Sequence, residues 1–346
     1  MIIDANMHWL PEDLFTNIAL RDAFLACVPK EEGELAYLAK MPGSDLEQIV
    51  IAKPEGHENL NYAENQYDPA LRIADMDGAG VDVAVLRIPV WQSWLPLELC
   101  KTVNDLLAAH VAAYPTRVRA LAVAPPDGTP ECLAEVERAL ALPGFVGVQM
   151  AAHYGSDYLD APRFRAYFRA LDALGVPVVV HHTPLPVDWT SVVTYTNMRR
   201  QYGRCVDQAT AVGRELFSDL FAECPNLHLV HSMLGGGFFA YANMLAPRSR
   251  KSNEELERFD PASGVRERLE TNLSFDTSGA AQWGKDQLEC AVKVFGAEHI
   301  LYGSSYPVRR EWFAQGIDFV RGLDIADAEK DLILGGNAQR LFGIEA

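Results

Sequence analysis

The sequence of 346 residues predicts a (β/α)8 TIM barrel with an inserted segment after its first strand. Eight short runs rich in β-branched and apolar residues look like buried strands, and a helical segment separates most of them. Strands that alternate with helices form a parallel sheet covered by helices. Because α/β barrels of this length commonly form one unit, we expect a single domain over residues 1–346.

The first strand is predicted at residues 1–8, where Asp4, Asn6 and His8 recur at every second position. In a regular strand these three side chains share one face. Residues from about 10 to 70 are irregular and broken by prolines and glycines, with short helical runs expected near 12–27 and 31–40. We interpret this stretch as a lid-like insertion, since long loops in compact domains usually have a function.

The other seven strands follow in a regular order. They are predicted at residues 81–88, 117–123, 145–150, 176–182, 227–231, 271–276 and 299–305. Helices are predicted near residues 69–79, 96–113, 129–141, 161–174, 204–223, 283–295, 311–322 and 326–342. A doubly wound sheet is the alternative fold, but no GxGxxG motif follows the first strand, and the glycines at 235–237 lack that spacing.

Charge and composition exclude several classes of partner. The net charge is −17 and the pI is near 4.9, which argues against nucleic acid and anionic membranes. We expect neither a signal peptide nor a transmembrane helix, because the first residues have no basic flank before an apolar run and no stretch of about 18 apolar residues appears. Its six cysteines are scattered singly, so we expect reduced cysteines and a cytoplasmic location.

Polar residues at strand ends indicate where a site would form, because barrel enzymes carry their chemistry at the carboxyl ends of the strands. His8, His181 and His231 end three separate predicted strands. A single strand-end histidine is more often a hydrogen-bonded core residue than a ligand, but three of them favour one shared site. Neutral imidazoles suit zinc, with iron or manganese as alternatives. The other polar strand-end residues are Asn6, Arg87, Gln149, His182, Asp276, Ser304 and Ser305.

Taken together, these segments resemble the amidohydrolase-related family that includes aminocarboxymuconate-semialdehyde decarboxylase and γ-resorcylate decarboxylase. The family's opening Ile-Asp-x-His-x-His is similar to residues 3–8, and its strand-5 histidine matches His181. Its segment from Pro-Asn-Leu to a histidine and a glycine run resembles residues 225–237, with His231. Its Asp-Thr/Ser-Ser matches residues 276–278, and its Phe-Gly-Ser-Asp-Tyr-Pro is similar to residues 302–307. The resemblance covers nearly the whole chain.

Two positions depart from the family pattern. Asn6 stands where the family has the first histidine of its opening pair, and Ser305 stands where it has the strand-8 aspartate, a metal ligand and proton carrier. Serine cannot act as a base near neutral pH, and asparagine offers only a weak carbonyl ligand. The resemblance therefore implies a metal site with fewer strong ligands than the family has, formed by His8, His181 and His231, with Asn6 as a weak fourth ligand.

The resemblance implies a metal-dependent decarboxylase or hydrolase, thus a lyase or hydrolase, that acts on a small carboxylated substrate. In that hypothesis His231 and Asp276 have catalytic roles and Arg87 pairs with the substrate carboxylate. The alternative is a non-catalytic or mononuclear-metal partner subunit of a hetero-oligomeric enzyme, such as an oxygenase, whose paralogous chain keeps the intact site. We expect an oligomer, either of identical chains or with such a paralogue.

Overall fold

A computed structural model describes residues 1–247, 264–308 and 310–345. In chain order its strands are β1 (Ile3–His8), β2 (Leu35–Lys40), β3 (Glu47–Ala52), β4 (Glu58–Ala63), β5 (Val83–Arg87), β6 (Val118–Ala122), β7 (Phe145–Ala151), β8 (His153–Tyr154), β9 (Asp157–Tyr158), β10 (Val178–His181), β11 (Leu229–His231), β12 (Leu273–Asp276) and β13 (Ile300–Leu301).

The α-helices form the outer layer and connect the strands. They are α1 (Ile18–Ala26), α2 (Pro69–Ala79), α3 (Leu97–Ala113), α4 (Pro130–Leu140), α5 (Arg165–Leu174), α6 (Gly203–Phe217), α7 (Leu220–Glu223), α8 (Met233–Gly237), α9 (Phe239–Leu245), α10 (Val265–Asn272), α11 (Lys285–Phe295), α12 (Arg310–Arg321), α13 (Asp327–Asp331) and α14 (Asn337–Phe342). Within the parts of the chain that the structure describes, none of the helices could cross a membrane.

Eight parallel strands form the barrel, in the order β1-β5-β6-β7-β10-β11-β12-β13. The ring closes between its first and last members. The Ala5 backbone N–H donates to the Tyr302 carbonyl at 2.9 Å, and Met7 forms a parallel bridge with Tyr306. The predicted (β/α)8 TIM barrel is confirmed, because strands alternate with helices as the apolar runs indicated.

Side chains on alternate positions of the strands fill the inside of the barrel. Its inner cluster contains Ile3, Ala5, Val83, Val85, Leu121, Val179, Val230 and Leu301. Phe342 of α14 joins this cluster, so the end of the chain covers one opening of the barrel. Residues at the intervening positions, such as Val178 and Leu229, belong instead to the larger core between strands and helices.

The first strand departs from simple alternation. Ile3 and Ala5 point into the barrel, so strict alternation would turn Asn6 and His8 out of it. However, the pairing of β1 with β5 is irregular between Asp4 and Met7, and Met7 packs in the outer core. An irregularity of this kind resets which face the following residues occupy. The prediction that all three polar residues of this strand share one face is therefore wrong in its simple form.

The inserted segment contains a three-stranded antiparallel sheet, β2-β3-β4, in addition to α1. A short helix was expected near residues 31–40, but Leu35–Lys40 forms β2 and pairs with β3. The buried apolar run Ile49–Ala52 of β3 provides the pairing partner, and this tertiary contact overrides the local preference of β2. The third strand, β4, reaches the open end of the barrel.

Candidate active site

A cavity of about 320 Å³ lies at the carboxyl ends of the barrel strands, at the small end of the usual range for ligand pockets. Its walls come from strand ends, from the segments after them and from β4 of the insertion. The lining includes His8, Tyr62, Val90, His181, His182, Arg200, Arg204, Met233, Ser278, Ser305 and Trp312. This is the end of the barrel at which TIM-barrel enzymes form their active sites.

Two of the three predicted strand-end histidines meet in this cavity. The rings of His8 and His181 lie 5.4 Å apart, nearly perpendicular to each other. Among the described residues, neither nitrogen of His181 has a hydrogen-bond partner, nor does Nδ1 of His8, although all three atoms are buried. Burial, and after it the charge of Arg87, holds the pKa of both rings well below the usual value. Two neutral imidazoles with unsatisfied nitrogens point to a bound ligand.

His182 also lines the cavity, with its ring 3.8 Å from that of His181. Both members of this adjacent pair face the cavity, because β10 ends at His181 and the alternation of a strand stops there. Nδ1 of His182 lies 2.9 Å from the Thr183 carbonyl, to which it donates. Burial and the nearby Arg204 lower the pKa of His182, so the ring is neutral and Nε2 carries the lone pair.

Beneath the cavity, Arg87 forms the centre of a buried hydrogen-bond network. Its Nε and Nη2 donate to Oδ1 of Asn6 at 2.9 and 2.6 Å, and Nη2 lies 3.1 Å from Nε2 of His8. Nδ2 of Asn6 in turn donates to Oδ1 of Asp276 and to Oγ of Ser278, each at 2.8 Å. Asn6 therefore connects the guanidinium to the carboxylate. Arg87 is fully buried, and burial lowers its pKa to about 9.

The structure corrects the position of His231. Its Nδ1 lies 2.8 Å from Oε1 of Gln208, and its Nε2 lies 2.7 Å from Oε2 of Glu215. Both partners are on α6, outside the barrel. In the sheet His231 is level with Val180, one residue before His181, so its side chain takes the opposite face. It does not join the other two histidines, and this geometry favours a structural role over the predicted catalytic and metal-binding ones.

Arg87 and Asp276 are near the site but do not line the cavity, and Asn6 bonds to Nε and Nη2 of Arg87 and to Oδ1 of Asp276 below it. The arginines that line it are Arg200 and Arg204, which sequence reasoning missed. A signal was available, because two arginines four residues apart follow the fifth barrel strand, and such loops form the mouth of the barrel. Tyr62 was also missed, since nothing in the sequence placed the inserted sheet over the strand ends.

The backbone around the cavity is strained. Six non-glycine residues among those described have positive φ, and four of them line the cavity, namely Val90, Met233, Ser278 and Ser305. A positive φ is unfavourable for side chains other than glycine, most of all for β-branched valine. Strain of this kind persists where the surrounding structure holds it, and it concentrates at functional sites. Met233 begins a run of five residues with positive φ that ends at Gly237.

The fold and the cavity define the class of protein: a TIM barrel with a histidine-rich and arginine-rich site at the carboxyl ends of its strands. The chain belongs to the Amidohydrolase family, whose model (Amidohydro_2) matches residues 3–344. The resemblance found in the sequence is thereby confirmed.

Several relatives of similar sequence are decarboxylases. The chain is 26% identical to γ-resorcylate decarboxylase of Polaromonas sp. over 297 residues, which cover 80% of this chain and 86% of the relative. It is 23% identical to 2-amino-3-carboxymuconate-6-semialdehyde decarboxylase of Dictyostelium discoideum, covering 81% of this chain and 78% of the relative. The crystal structure of a dihydroxybenzoic acid decarboxylase from Polaromonas sp., with bound manganese and the inhibitor 2-nitroresorcinol, superposes with a TM-score of 0.72 at 20% identity, covering 100% of this chain and 98% of that one.

That Polaromonas structure contains manganese, and zinc in particular is not indicated. A metal ion needs several ligand lone pairs directed at one point, at about 2.0–2.3 Å. In this chain Oδ1 of Asn6 and Nε2 of His8 accept hydrogen bonds from Arg87 instead. Among the residues described, no three His, Cys, Asp or Glu side chains come together to hold an ion. The donor set of this chain therefore does not fit a divalent metal.

Proposed function

We propose that this protein is a lyase that removes a carboxylate from a small, carboxylated aromatic compound. The observation that carries the proposal is the cavity itself, in which arginines and neutral imidazoles surround a space that suits a single ring. The family and its decarboxylase relatives support the reaction type. The predicted zinc is not part of the proposal, because His231 lies elsewhere and Asn6 is bonded to Arg87.

Arg204 is the residue best placed to bind a substrate carboxylate. It lines the cavity, and its Nη2 donates to the Asn59 carbonyl at 2.8 Å, which holds the guanidinium against the inserted sheet. Its Nε is buried without a partner among the described residues. A guanidinium with a free N–H suits a carboxylate, and the bond gains strength where water is excluded.

Decarboxylation breaks the bond between the ring and the carboxylate carbon, releases CO2 and places a proton on the ring carbon. An imidazole at the wall of the cavity can carry that proton. Nε2 of His182 is the candidate: because Nδ1–H is fixed on the Thr183 carbonyl, Nε2 carries the lone pair, which takes a proton from water and passes it to the ring carbon. The lowered pKa of His182 makes its protonated form a stronger acid than free histidine.

The alternative hypothesis, a partner subunit without its own activity, receives no support from these relatives, because they are decarboxylases themselves. Oligomeric state remains a prediction.

The test is an assay of the purified full-length chain for CO2 release from hydroxylated benzoates, beginning with γ-resorcylate. We expect turnover, and we expect Arg204→Gln to lower kcat/KM roughly 10- to 100-fold, mainly through KM, because one charged hydrogen bond is lost. Arg214→Gln is the matched control, since Arg214 lies on the same helix but pairs with Asp160 at the surface. Equal effects of the two substitutions, or no CO2 from any aromatic acid, would reject the proposal.

A further inference from the structure

We infer that the Arg87 guanidinium takes the place of the divalent metal in this chain, as a built-in cation between Asn6 and His8, two of the four predicted ligands. The inference deepens the proposed function. The role of Arg87 in catalysis rests on that function, whereas the replacement of the metal by the guanidinium does not. It concerns how a chain that keeps the family's scaffold can organise its site without a bound ion.

The hydrogen-bond geometry beneath the cavity supports this assignment. A single nitrogen of Arg87, Nη2, lies 2.6 Å from Oδ1 of Asn6 and 3.1 Å from Nε2 of His8. These two acceptor atoms belong to the strand-1 residues that the family resemblance implied as metal ligands. The guanidinium satisfies both acceptors, and no lone pair on either atom is left to coordinate an ion.

Charge balance gives a second, independent argument. Asp276, fully buried, is connected to Arg87 through Asn6, so the carboxylate already has a cation close by. A divalent ion added here would stand next to a guanidinium and repel it. At the remaining family position Ser305 offers a hydroxyl in place of an anionic ligand, so the negative charge that would attract an ion is missing.

The same contact gives Arg87 a positioning role. All nitrogens of a guanidinium are donors, so Nε2 of His8 must accept the hydrogen bond from Nη2. A neutral imidazole that accepts at Nε2 carries its proton at Nδ1. Nδ1 of His8 is buried and has no partner among the residues described. Arg87 thereby fixes His8 as an N–H donor at the wall of the cavity, suited to a carboxylate or phenolate oxygen of the substrate.

Manganese binding by the purified chain is the first test. The protein is treated with a chelator, freed of it and mixed with manganese, and electron paramagnetic resonance then measures the bound ion. We expect no bound manganese in the wild-type protein. One equivalent bound to the wild type, and lost in His181→Ala, would overturn the inference. The measurement needs no turnover, so its outcome is separate from the fate of the decarboxylase proposal.

Substitutions isolate the contribution of the guanidinium. In a chain carrying Asn6→His and Ser305→Asp, we expect manganese to bind only when Arg87→Met is added. Equal binding with and without Arg87 would show that the guanidinium is not what excludes the ion. Arg119→Met is the matched control, because it removes a half-buried arginine whose Nη1 donates to the backbone carbonyls of Pro115 and Val118.

The tautomer of His8 can be read on the wild-type fold, in case those variants do not fold. In a sample labelled with 15N-histidine, we expect the His8 signals of the Nδ1–H tautomer, assigned by their loss in His8→Gln. The Nε2–H tautomer at His8 would contradict the contact with Arg87 and overturn the inference.

Discussion

His181 and His231 end neighbouring strands of the barrel, yet their surroundings are opposite. His181 faces the cavity, and neither of its nitrogens has a hydrogen-bond partner among the residues that the structure describes, whereas each nitrogen of His231 has a close partner on α6. The difference arises from register, because His231 is level with Val180 and not with His181. A strand-end histidine therefore indicates a site only when its register is known, and its unsatisfied atoms are the better sign of function.

The largest expected effect concerns His231, the histidine whose two nitrogens both have partners. Glu215→Ala should lower the free energy of unfolding by about 3–5 kcal/mol, since it breaks a buried pair and leaves His231 without its acceptor. Urea denaturation measures the change. Glu215→Gln, which keeps an acceptor oxygen, should cost clearly less. A loss below about 1 kcal/mol in the alanine variant would show that His231 does not depend on this partner.

A smaller effect concerns a third environment, that of His110. Nε2 of this ring lies 3.2 Å from Nη1 of Arg72, and burial together with that charge lowers the pKa of His110 to about 4. Because the folded-state pKa is depressed, the neutral ring stabilises the protein above pH 6.5, and this stabilisation is lost as the pH falls toward 4. The loss should be roughly 3 kcal/mol at most. In His110→Gln the free energy of unfolding should fall less steeply between pH 6.5 and 4 than in the wild type, as measured by urea titration at several pH values. An equally steep fall would count against the depressed pKa.

Substitution of His181 should have the opposite effect: little change in the free energy of unfolding and a large loss of activity. His181→Leu removes two buried nitrogens that have no partner in the described part of the chain, so the free energy of unfolding should stay within about 1 kcal/mol of the wild type or rise. Decarboxylation should fall at least 100-fold in the same variant if the ring contacts the substrate, by roughly the worth of a charged hydrogen bond. A destabilised but active His181→Leu enzyme would reverse the comparison.

The smallest effect sets the baseline for these measurements. Lys101 and Glu98 form an ion pair at 2.7 Å on the exposed face of α3. Lys101→Ala should leave the free energy of unfolding unchanged within the error of the urea measurement, because water and salt screen the pair. A larger change would mean that the stability assay also responds to surface charge, and the values for His110 would need correction.

The fold was predictable because each barrel strand is an apolar run that has to be buried on both sides. His8 and His181 were predictable as well, since they follow such runs directly. The face of His231 was not, because it depends on how β11 pairs with β10, which one sequence does not state. Arg204 was accessible in principle from its place after the fifth barrel strand, whereas Tyr62 depends on the packing of the inserted sheet over the mouth.

The strained residues around the cavity have a consequence for the order in which the molecule opens. Each non-glycine residue held at positive φ stores about 1–3 kcal/mol of backbone strain, which is released once the surrounding contacts break. Val90, Met233, Ser278 and Ser305 come from four different barrel segments. Backbone amides at this rim should exchange with solvent deuterium well before those of the strands below, so the binding competence of the protein should disappear on warming while its barrel is still intact.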